Sequence, residues 1–108
     1  MCGIAGIMTL DGTVPDGPLL DKFISSLRHR GPDGDGRHVA GNVGLIQTRL
    51  AIIDLSTGDQ PIYAFNKHGD KCALVANGEI YNYLELREGL GRQAFMTQSD
   101  CEPPLYLY

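Results

Sequence analysis

The chain has no apolar run approaching the roughly 18 residues that a membrane-spanning helix needs. Its opening, MCGIAGIM, lacks a leading basic stretch and is too short for the apolar centre of a secretion signal. Only three cysteines occur, Cys2, Cys72 and Cys101, an odd and widely spaced set without a Cys-x-x-Cys pair. That usage argues against a disulfide scaffold or a zinc ribbon and suits a reducing compartment. Basic residues are not in excess: 9 Lys and Arg face 13 Asp and Glu, a net charge of −4. No patch offers counterion release, so neither nucleic acid nor an anionic membrane is an expected partner. His29, His38 and His68 have no metal-ligand spacing. Asp33-Gly34-Asp35-Gly36 resembles a piece of a calcium loop but lacks its twelfth-position Glu, so no metal site is expected. Repeats, low-complexity tracts and linkers are absent too. These exclusions leave one cytoplasmic, soluble domain of 108 residues, long enough for a modest core.

What is present reads as mixed α and β. MCGIAGIMTL is apolar at nearly every position and predicts a strand buried on both faces. Leu19, Leu20, Phe23, Ile24 and Leu27 form a stripe at helical spacing, from about Pro18 to Gly31-Pro32. Asp33 to Gly36 reads as loop. Val43 to Leu55 is the best strand signal, broken near 51–54, and Lys67 to Lys71 resembles a hairpin tip before a strand at Cys72–Asn77. Asn82 with Glu85 three residues on resembles a capping box, opening a helix that Gly89 and Gly91 close. A short strand over Gln93–Thr97 and a last helix beginning within Cys101–Tyr108 complete the order, an α+β arrangement.

Four clusters could carry chemistry. If Met1 is removed, Cys2 carries both a thiol and a free α-amine. Such groups titrate close together, at about 8.5 and about 7.7–8.0, so a nucleophile and its base arrive on one residue. The plainer reading of Cys2 is a small buried apolar residue. Arg49 lies inside the apolar stretch LIQTRLAII, where an unpaired guanidinium is expensive. It meets either an internal carboxylate or the carboxylate of a ligand. Asn77-Gly78-Glu79 is a hairpin turn on its own, yet a strand leads in and a capped helix follows. In that setting an Asn side-chain amide and a Gly N–H offer two donors to an oxyanion, and Glu79 could hold a cation. Asp100, within Ser99-Asp100-Cys101-Glu102, is equally a helix N-cap.

Taken in order, Met-Cys-Gly-Ile-Ala-Gly at the start, Arg-His-Arg-Gly-Pro-Asp at 28–33, Arg-Leu-Ala-Ile-Ile-Asp at 49–54, Asn-Gly-Glu-Ile-Tyr-Asn at 77–82 and Ser-Asp-Cys-Glu at 99–102 are far more specific than any one alone. The set resembles the glutaminase domain of the class II, N-terminal-nucleophile glutamine amidotransferases, over residues 1 to about 102. Gln60-Pro61 after Arg-Leu-Ala-Ile-Ile-Asp points to the asparagine synthetase branch. The resemblance implies a four-layer α/β/β/α sandwich with antiparallel sheets. It also implies Cys2 as nucleophile with its own α-amine as base, and Asn77 and Gly78 as the oxyanion hole. Arg49 would bind the α-carboxylate of L-glutamine, Glu79 and Asp100 its α-amino group, and the backbone at Ile53 would line the pocket. The expected chemistry is hydrolysis of the glutamine side-chain amide through a Cys2 thioester.

The family's domain is considerably longer, so residues 1–108 are expected to be a glutaminase domain incomplete at its C-terminus, with only its first half present. No Ser-Gly-Gly-x-Asp-Ser loop occurs. The chain itself is therefore expected to use no cofactor, with ATP and Mg²⁺ belonging to a synthetase domain or subunit that consumes the ammonia. A homo-oligomer is compatible with this reading. The alternative is a catalytically silent fragment that binds glutamine or assists assembly.

Overall fold

The computed structural model describes residues 1–52, 55–66, 68–91 and 95–108. The first sheet is antiparallel, in the order β1 (Gly3–Met8), β3 (Val43–Arg49), β2 (Gly34–Ala40). On β3, Gly44, Ile46 and Thr48 face the helix α1 (Gly17–Leu27), while Gln47 and Arg49 point the other way, as the period of two demands. Leu20 and Ile24 of α1 close over Ile46, with Ala5, Ile7, Phe23 and Leu27 around them. Each such aliphatic side chain contributes about 1.5–3 kcal/mol on burial. The Thr48 hydroxyl donates to the Leu27 carbonyl at 3.1 Å, satisfying a helix end and pinning it to β3.

A second antiparallel sheet pairs β4 (Ile62–Phe65) with β5 (Lys71–Leu74). One face of β4 buries Ile62 and Ala64 against Cys101 and Leu105, under the helix α3 (Pro103–Leu107). Its other face turns toward the first sheet, where Tyr63 meets His38 edge-on at 5.4 Å. The layers therefore run helix, sheet, sheet, helix. The helix α2 (Tyr83–Leu90) packs beside α3. Gly36 lets the sheets touch: a Cβ there would lie 1.8 Å from the Gln60 carbonyl oxygen.

Several local expectations change. The opening strand is buried on one face only, with Ile4 and Met8 exposed, because the second sheet does not cover that part of β1. Asp33–Gly36 is not wholly loop: β2 begins at Gly34, paired with Arg49, and the close approach of Gln60 at Gly36 leaves no room for the apolar residues that would mark a strand. Asn82 precedes α2 but makes no side-chain capping bond, and Gly91, at φ +88°, closes the helix while Gly89 lies inside it. In the strand expected at Gln93–Thr97, Gln93 and Ala94 lie outside the described residues. Met96 and Thr97 turn their N–H groups onto the Glu102 carboxylate at 2.7 and 2.8 Å rather than into a ladder.

Candidate active site

Cys2 sits just before β1, beside the end of β3, and is held at both its side chain and its carbonyl. The Leu50 N–H points at the sulfur at 3.3 Å, and Arg30 Nε donates to the Cys2 carbonyl at 3.2 Å. Sequence reasoning gave Arg30 only a helix-end role; its spacing to Cys2 is visible only in three dimensions. Beneath this point the chain at Gly31 presses onto β3, so closely that a Cβ would lie 2.4 Å from the Thr48 carbonyl carbon. Asp33 then brackets Arg49. Its N–H donates to the Arg49 carbonyl at 2.9 Å, and its carboxylate accepts from the Ala51 N–H at 2.9 Å. The Arg-His-Arg-Gly-Pro-Asp segment thus fixes the backbone on either side of the buried arginine.

The Arg49 guanidinium forms an ion pair with Asp59, whose side chain is 85% exposed. Of the two alternatives for Arg49, the internal carboxylate is present, but at the open rim, where such a pair is worth about 0–1 kcal/mol. Across the cleft, Asn77, Gly78 and Glu79 are exposed and leave β5 as a bend, not a hairpin. Three contacts brace this bend. Gln60 Oε1 accepts from the Ala76 N–H at 2.6 Å, the Cys101 thiol donates to the Gly78 carbonyl at 3.6 Å, and the Asp100 carboxylate accepts from the Ile80 N–H at 2.6 Å. Asp100 is therefore a buried brace of the bend and does not cap α3, whose N-cap is Glu102.

Cys2, Arg49, Asn77, Gly78, Glu79 and Asp100 all line one cleft of about 370 Å³. That volume suits a small polar metabolite. Ile53, the remaining candidate, lies outside the described residues. Two thiols reach the cleft, and their settings differ. Burial, reinforced by the neighbouring Asp100 charge, pushes the Cys101 thiol up to about 11, so it stays protonated near neutrality. Cys2 is half-buried at the cleft wall, leaving it as the accessible sulfur. One fixed cation, two carboxylates and two neutral donors share a cleft with this sulfur, a set suited to a zwitterion with an uncharged polar side chain.

The family follows from sequence comparison. A sequence model of the glutamine amidotransferase domain matches residues 1–108. The chain belongs to that family. Over 109 residues this amidotransferase domain is 41% identical to asparagine synthetase [glutamine-hydrolyzing] 3 of Arabidopsis thaliana, covering 100% of this chain and 18% of the relative. It is 42% identical over 115 residues to the probable asparagine synthetase [glutamine-hydrolyzing] of Dictyostelium discoideum, covering 100% and 20%. Against asparagine synthetase [glutamine-hydrolyzing] 2 of Bacillus subtilis it is 40% identical over 113 residues, covering 100% and 14%. The amidotransferase domain thus spans a fifth or less of the length of these relatives. Among the described residues no helix is long and apolar enough to cross a membrane. Nor, among them, do three His, Cys, Asp or Glu side chains gather as a metal site would require.

Proposed function

We propose that this chain hydrolyses the side-chain amide of L-glutamine to glutamate and ammonia, the ammonia passing to a synthetase of the kind named in its relatives. The observation that carries this reading is that Arg49, Asn77, Gly78, Glu79 and Asp100 line one small cleft together with Cys2. Once Met1 is removed, the Cys2 α-amine takes the thiol proton. The sulfur adds to the amide carbon, and the carbonyl electrons move onto oxygen, which the Asn77 side-chain amide and the Gly78 N–H hold. Collapse breaks the C–N bond, and the α-ammonium returns its proton to the departing nitrogen, which leaves as ammonia. Water then adds to the thioester, the C–S bond breaks, and glutamate and the free thiol remain.

At the other end of the substrate, the α-carboxylate displaces the weakly held Asp59 from Arg49, while Glu79 and Asp100 face the α-ammonium. ATP and Mg²⁺ are assigned to the synthetase activity and not to this chain, and a cytoplasmic location fits such a role. The test is glutamate release from L-glutamine by the chain with Met1 removed, with Cys2→Ala alongside. Release that Cys2→Ala abolishes is the expected result. Release that survives in Cys2→Ala, or in a chain shown by mass to retain Met1, would sink the mechanism. Glutamine binding without any release would favour the silent glutamine-binding module instead.

A further inference from the structure

The ion pair at the cleft rim is unequal. Arg49 is buried and lines the cleft, whereas the side chain of Asp59 is almost fully in water. A buried guanidinium gains a counter-charge that it needs, while the carboxylate can return to water at little cost. The chain on both sides of Asp59 is anchored. Thr57 Oγ1 accepts from the Gln98 N–H at 3.2 Å, and Gly58 is buried and lines the cleft. On the other side, Gln60 Oε1 accepts from the Ala76 N–H at 2.6 Å, and the Gln60 carbonyl lies against Gly36. Only the Asp59 side chain has to turn for the pair to open, a motion that exposed side chains make within picoseconds to nanoseconds. A removable carboxylate on a buried cation in a ligand cleft has the properties of a placeholder.

Resting on the glutamine reading of the cleft, we infer that Asp59 is a built-in competitor, whose carboxylate stands in on Arg49 for the α-carboxylate of the ligand and sets how tightly that ligand is held. Asp59 occupies Nη1 of the guanidinium. An incoming α-carboxylate can pair bidentately with Arg49 only after that nitrogen is released. Because Asp59 is tethered, it meets Arg49 at a high effective concentration, and the cation is open for only part of the time. Apparent affinity falls by that open fraction, about fivefold for a pair at the upper end of the exposed range. The effect applies to substrate and product alike, since glutamate carries the same α-carboxylate as glutamine. Product therefore leaves a cation that already has a replacement anion beside it.

The experiment compares the parent with Asp59→Asn and Asp59→Ala, all in the Cys2→Ala background to prevent turnover. Calorimetry measures binding of L-glutamine, of L-glutamate and of L-glutaminamide, in which an amide replaces the α-carboxylate. Both variants should bind L-glutamine and L-glutamate about fivefold more tightly than the parent does. L-glutaminamide, with no anion to offer Arg49, should gain nothing. Unchanged or weaker L-glutamine binding in the variants would overturn this inference and leave the proposed function standing. An equal gain for L-glutaminamide would overturn it too, because the effect would then not pass through the α-carboxylate. So would loss of the fold in both variants, because a stand-in for a ligand carries no fold. Failure of all three proteins to bind L-glutamine would overturn the functional reading and this inference with it.

Discussion

The half of the molecule built on β1, β2, β3 and α1 is held together differently from the half built on β4, β5, α2 and α3. In the first, six and seven residue pairs zip the strands together, and the core is aliphatic, centred on Leu20, Ile24 and Ile46. In the second, only four pairs join the strands, and a buried carboxylate organises what surrounds them. Glu102, 0% exposed, accepts from the Met96 and Thr97 N–H groups, the Thr97 hydroxyl and the Tyr106 hydroxyl, with Arg87 3.6 Å away. The candidate site straddles the two. The apolar half supplies Cys2, just before β1, and Arg49 at the end of β3, and the polar half supplies Asn77, Gly78, Glu79 and Asp100 on turns and bends that need bracing. Rigidity in one half comes from non-directional burial, and in the other from directional bonds that fix individual backbone groups.

Glu102→Ala is the strongest way to break that comparison. It removes four accepted hydrogen bonds and leaves Arg87 buried without its carboxylate, a change that costs about 3–5 kcal/mol. Ile24→Ala, the counterpart in the other half, costs about 2–5 kcal/mol through the cavity it opens. Hydrogen exchange should separate the two: Glu102→Ala loses protection first at 96–105 and in α2, and Ile24→Ala first in α1 and β3. Equal loss across both halves in either variant would show one cooperative unit and erase the distinction.

Asn77→Ala asks whether the braced half contributes chemistry or only grip. Loss of one oxyanion donor typically costs about 2.7–4 kcal/mol of barrier, or a factor of about 10²–10³ in kcat. Steady-state kinetics should show that fall with KM little changed. A large rise in KM at constant kcat would move Asn77 from the reacting end to substrate binding.

The same contrast explains what could be read in the sequence. The period of α1 and the apolar run of β3 are legible because burial acts on residue type alone, so Leu20, Ile24 and Ile46 declare themselves. Cys2, Arg49, Asn77, Gly78, Glu79 and Asp100 were legible as motifs, and the structure brings all six to one cleft. The start of β2 was hidden because the close approach at Gly36 replaces the apolar residues that would mark a strand. Arg30 on the Cys2 carbonyl, Gln60 on Ala76 and Cys101 on Gly78 span sequence separations of 28, 16 and 23, and no local pattern records such a bond. Gln47, buried inside LIQTRLAII, carries neither charge nor spacing that marks it in the sequence.

The smallest effect sharpens the comparison at the seam between halves. Cys101 belongs to the second core and also touches the bend through Gly78. Its thiol ionises near 9.0 in an open setting and near 11 in the fold, raised first by burial and then by the Asp100 charge. The folded state therefore holds this proton more tightly. Its contribution is complete below about pH 9, and it drains away as pH rises toward 11, because the unfolded chain ionises first. Tyr106 is also raised, by burial and by Glu102, so a single stability curve does not isolate the thiol. The difference between the parent curve and that of Cys101→Ala does. Denaturant melts from pH 8 to 11 under reducing conditions should show the two curves converging as pH rises. Parallel curves would mean that the Cys101 site opens to solvent in the folded state, and the brace on Gly78 would then be a weaker constraint than the bonds that Asp100 and Gln60 provide.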